Sequence, residues 1–136
     1  MTCEPLVFNV LRGEAQDIHQ SPYGSVGHLF TGGGVEAVWV AKHGEPIDPG
    51  WFSQNHVDLI LVVQGELRFE FERADLPARV LGPGDFMILP GNTRCRAYRW
   101  PRERSEATIF VAVYPREDRS ANGLAGYGRH NASGPA

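Results

Sequence analysis

Long apolar runs, basic clusters and paired cysteines are all scarce in this 136-residue sequence, and each scarcity excludes something. No apolar run approaches the roughly 20 residues that a membrane helix requires. The opening Met-Thr-Cys-Glu-Pro-Leu-Val-Phe has neither the basic start nor the apolar centre of a secretory signal. A cytoplasmic protein with no membrane partner is expected. Lys and Arg number 13 against 16 Asp and Glu, a formal net charge of −3, and no basic run meets an aromatic stripe, so nucleic acid is not expected as a partner. Two cysteines, Cys3 and Cys95, make no disulfide framework, and both are expected as free thiols. No stretch keeps a helical period over three turns, which argues against an α-helical domain.

What is present is a hydrophobic content of 42%, enough for one domain to bury a core without disulfide or metal staples. Sixteen glycines and ten prolines cut the chain into short apolar segments. Strands are predicted at 25–30, 35–42, 57–64, 66–72, 79–81, 86–89, 95–100 and 107–114, an all-β set that suits a jelly-roll barrel. Within one domain, residues 1–34 read as N-terminal strands or arm, 35–115 as the barrel core, and 116–136 as a mobile tail rich in Gly, Ala, Ser and Arg. Leu67, Phe69 and Phe71 alternate with charged residues, as on a half-buried strand, whereas 59–63 is apolar on both parities and needs cover on both faces. A second copy of the chain, or residues 6–11 folding back, would supply the outer cover. A homodimer is the expectation.

The segment from Gly50 to Gly65, read with Gly84 to Cys95, resembles the two-part motif of the cupin superfamily. The first part is written G-x5-H-x-H-x(3,4)-E-x6-G. Counting back from Gly65, its Glu falls on Asp58, and its two histidines fall on Phe52 and Gln54 or on Trp51 and Ser53, while His56 lies two residues before Asp58. The second part, G-x5-P-x-G-x2-H-x3-N, is matched by Gly84 and Pro90, with Asn92, Cys95 and Arg99 replacing its glycine, histidine and asparagine. The resemblance implies a cupin jelly roll, a double-stranded β-helix, whose cavity binds a small organic molecule.

Residues two apart on a strand share a face, so an unbroken strand would set Gln54, His56, Asp58 and Gln64 on one side, and the cupin arrangement would bring Cys95 to the same space. Three readings follow. His56, Asp58 and Cys95, helped by Gln54, would hold one divalent ion of Fe, Zn, Mn, Ni or Cu for oxygenase, lyase or isomerase chemistry. Alternatively, Asp58 would orient His56 as a metal-free acid and base for isomerisation or epimerisation. In the third reading they are a buried polar pair in a barrel that binds a small ligand without catalysis. Arg99, on the side of Cys95, is placed to meet an anionic ligand near the mouth or to pair with surface Glu. Arg94 and Arg96 are expected on the outside.

Overall fold

The computed structural model describes residues 4–116 and is built almost wholly of antiparallel strands. The strands are β1 (Gln16–Ser21), β2 (Gly24–Gly32), β3 (Val35–Lys42), β4 (Asp58–Gln64), β5 (Glu66–Phe71), β6 (Arg79–Leu81), β7 (Phe86–Leu89), β8 (Cys95–Trp100) and β9 (Thr108–Pro115). They form a six-stranded sheet in the order β1-β2-β3-β9-β4-β7 and a three-stranded sheet in the order β6-β5-β8. The last strand lies between β3 and β4, so the central sheet closes only after the chain has passed through both sheets.

Eight strands match the expected segments to within two residues at each end. The ninth, β1, was not expected. Its residues, Gln-Asp-Ile-His-Gln-Ser, are polar and almost all exposed, so it carries no apolar alternation and is held by its ladder to β2. The tail expected beyond Arg116, and Cys3, lie outside the described residues.

Alternation decides which side chains meet between the sheets. Val38 and Val40 on β3, Ile60 and Val62 on β4, Leu89 on β7, and Phe110, Ala112 and Tyr114 on β9 face Leu67 and Phe69 on β5, Leu81 on β6 and Cys95 on β8 in one buried cluster. Gly65 closes the turn from β4 to β5 at φ +72°, and a Cβ there would sit 2.8 Å from the Thr108 hydroxyl oxygen. Only glycine meets both demands.

The outer face of the large sheet is covered in part from within the chain. The 3-10 turn Val10–Arg12, capped by the Asn9 side chain, sets Val10 against a second cluster around Trp39, Ala41 and Ile109, and the Trp39 indole donates to the Val10 carbonyl at 2.8 Å. Phe86 and Ile88 on the edge strand β7 remain exposed beside Leu61 and Leu59.

Candidate functional site

The loop 43–57 and the strand β8 make the site. Phe52 and Cys95 exchange backbone hydrogen bonds of 2.8 and 2.9 Å, and Asn92 N–H donates to the Gln54 carbonyl at 2.5 Å, so the loop before β4 is stitched to the end of β8. This brings the two motif segments together. Between the sheets it leaves a small cavity open to solvent, with walls that include Val40, Ile60, Phe69, Leu89 and Phe110.

Asp58 and Cys95 stand at the polar part of this wall. The Asp58 side chain is 2% exposed, its Oδ2 accepts from Gln54 Nε2 at 3.2 Å, and its Oδ1 is buried without a hydrogen-bond partner. Burial in apolar surroundings disfavours the carboxylate and pushes its pKa up to about 7. Burial, and then the neighbouring Asp58 charge, push the Cys95 thiol up to about 12, so it is a protonated, inert member of the core rather than a nucleophile.

Lys42, Arg99 and Arg102 also line the cavity. Arg99 is buried at 8% exposure, and its Nη2 donates to the Arg102 carbonyl at 3.1 Å. Arg102 reaches the Glu45 carbonyl with Nη2 at 2.8 Å and lies over the Tyr98 ring at 5.5 Å. Lys42 ends the inward series Val38, Val40, Lys42 and donates to the Tyr23 carbonyl at 2.5 Å. Burial pulls its pKa down to about 8, with Glu45 opposing and Arg102 assisting.

Of the residues singled out from sequence, the structure brings Asp58, Cys95 and Arg99 to one cavity. His56 is not among the lining residues. The reason is local: β4 begins at Asp58, and the backbone bends at 55–56, so the two-residue period that would have aligned 54, 56 and 58 does not extend back past the strand. The His56 ring instead stacks on Tyr114, with centroids 4.8 Å apart and planes 14° apart. Gln54 is buried behind the carboxylate it donates to, and Gln64, beyond a register shift in β4, donates to the Ala107 carbonyl at 3.0 Å. Arg94 and Arg96 pair with Glu72 and Glu70 across the outer face of the small sheet, as expected from parity.

A divalent metal does not fit this donor set. Among the described residues no group of three or more His, Cys, Asp and Glu side chains is arranged to hold one. Of the three ligands proposed from sequence only Asp58 and Cys95 reach the cavity, His56 being stacked on Tyr114, and two protein donors are fewer than the roughly three or four that a tight site takes. Sequence reasoning passed over Lys42 and Arg102. The signal for Lys42 was present, a lysine closing an inward-facing valine series; Arg102 comes from a loop that no periodicity announces.

No protein-family model matches the sequence, and no curated protein matches it. Many solved structures do. A conserved protein with a double-stranded β-helix domain from Klebsiella pneumoniae is 20% identical, with a TM-score of 0.60, covering 82% of this chain and 90% of its own. A cupin-like protein from Thermotoga maritima is 19% identical at a TM-score of 0.59, covering 75% and 78%. An RmlC-like cupin family protein from Methanocaldococcus jannaschii is 17% identical at 0.54, covering 66% and 77%. At these identities the likeness shows the fold, and the fold is that of the cupins.

Proposed function

We propose that this cupin fold serves as a binding site for a small organic molecule in the cavity between its sheets, without a resident metal. The observation that carries the reading is the Asp58 carboxyl. It sits on the wall beside Val40, Ile60, Leu89 and Phe110 with one buried oxygen left without a partner, an arrangement that costs stability unless something polar enters the cavity to satisfy it. Apolar walls with a few convergent polar groups are the usual makeup of small-molecule sites.

Ala97 lines the cavity from β8, opposite Phe69, and Ala97→Trp places an indole in that space. Native mass spectrometry of the purified protein, together with ligand-detected NMR against a fragment library, tests the reading. Binders lost in the folded Ala97→Trp protein support it; binders retained at full strength place the ligand elsewhere and overturn it.

A second reading is favoured by the same carboxyl. With its pKa raised to about 7, Asp58 divides between acid and base near neutrality and can pass a proton to or from a bound molecule, alone rather than through His56. Asp58→Asn would then retain the ligand while losing turnover. The assembly belongs to the proposal as well. Phe86 and Ile88, 56% and 62% exposed on an edge strand, extend the apolar face formed by Leu59 and Leu61, and a second copy of the chain is the proposed cover.

A further inference from the structure

Charge accounting at the cavity mouth identifies one group of cations unlike the others. Among the described residues, seven ion pairs involve Arg12, Arg68, Arg73, Arg94, Arg96, Arg104 and Arg116, and none involves Lys42, Arg99 or Arg102. These three line the cavity together. Their hydrogen bonds go to backbone carbonyls, which satisfy geometry but supply no counter-charge. The Arg99 Nε and the Arg102 Nη1 are buried and have no acceptor at all.

Of the nearby carboxylates, Glu45 acts on Lys42 without an ion pair, and none pairs with Arg99 or Arg102. Glu45 turns its Oε1 to the His43 N–H at 2.8 Å, and Asp48 turns its Oδ1 to the Gly50 N–H at 2.9 Å, each closing a local turn of the loop. Asp58, the third carboxyl on the wall, is bonded to Gln54. A guanidinium more than nine-tenths buried, with an unfilled N–H on a cavity wall and no anionic partner, is a costly arrangement in an isolated fold. An oxyanion entering from solvent would fill the vacant N–H positions and supply the missing charge at once.

We propose that Arg99, Arg102 and Lys42 form a subsite for the carboxylate or phosphate group of the ligand, whose apolar body lies against Ile60, Phe69, Leu89 and Phe110. This rests on the cavity reading above and names its ligand class: a small acid with a hydrophobic portion. Arg99 and Arg102 meet the oxyanion through their guanidinium groups, whose buried Nε and Nη1 turn toward it, and Lys42 adds charge from β3. The ligand is therefore oriented, with its acid group at Arg99, Arg102 and Lys42 and its apolar middle against the wall, so that a polar atom at the far end would meet Asp58.

The test uses three probes of similar size and one shared ring: benzoate, phenyl phosphate and the neutral benzyl alcohol, each titrated calorimetrically against the full-length protein. At least one of the two anions is expected to bind ten-fold or more tightly than benzyl alcohol, and the stronger anion identifies the source of the charge. Arg99→Met is expected to remove that preference while leaving benzyl alcohol unaffected. Arg102→Met, at a less buried position, is expected to reduce it and carries the test if the Arg99 variant does not fold. Ala97→Trp should abolish all three. Equal affinity for the neutral and anionic probes, or an anion preference that survives both arginine substitutions, overturns the subsite and leaves the cavity reading standing. Absence of saturable binding by all three probes overturns both.

Discussion

Replacing Asp58 by Asn should stabilise the protein at neutral and alkaline pH and do little in acid, the reverse of what removing an ordinary carboxylate does. The magnitude follows from burial. An aspartate in the unfolded chain titrates near 3.8, and in the fold burial pushes Asp58 up to about 7. Because the folded value lies above the unfolded one, the fold favours the neutral form. The contribution to stability is therefore complete below about pH 4 and is lost progressively as pH rises to about 7. A displacement of about 3 pH units at 1.36 kcal/mol each gives a ceiling of about 4 kcal/mol. Asparagine keeps the shape and can accept from Gln54 Nε2, so the variant is spared the ionisation penalty without losing that bond. Urea unfolding followed by fluorescence of the buried Trp39, at intervals from pH 4 to pH 9, reads the difference directly. The variant minus wild-type stability should climb between pH 4 and pH 7 and then level off. A difference that stays flat across that range, or that falls as pH rises, refutes the argument that Asp58 is a desolvated acid.

Three further outcomes are expected. His56→Ala should lower stability by about 1 kcal/mol through loss of the stack on Tyr114, and should leave probe affinity in the cavity unchanged; a large loss of binding would return His56 to the site. Elemental analysis of purified protein should find well under about a tenth of an equivalent of any transition metal, persisting after incubation with iron, zinc or manganese, since only Asp58 and Cys95 of the three candidate ligands meet in the cavity; near one equivalent would contradict the fit argued above. In size-exclusion chromatography with light scattering, the native chain should run as a dimer and the Phe86→Glu, Ile88→Lys double variant as a monomer, whereas a monomeric native chain would remove the proposed interface.

The fold was legible because its signals are local and repeated. Alternation on β5, the unbroken apolar run of β4, and the glycines at 65 and 84 each mark a strand or its end without reference to distant residues. β1 was missed for the same reason inverted, since a polar edge strand has no side-chain pattern to read and exists through backbone pairing alone. The site was legible in part. Spacing to Gly65 located Asp58, the cupin arrangement brought Cys95 to the same space, and parity put Arg99 on the side of Cys95.

Composition and spacing by themselves determined an all-β chain with one core and a motif whose histidine positions are filled by other residues. Only the tertiary structure decided where the residues of that motif lie. Periodicity holds while a chain is a strand and lapses where it bends, so the turn at 55–56 removed His56 from a face that counting had assigned to it. Charge is likewise not a property of sequence position. Lys42, Arg99 and Arg102 lie up to 60 residues apart, and only the meeting of β3, β8 and the loop after it makes them one group, buried deeply enough that their missing counter-ion matters.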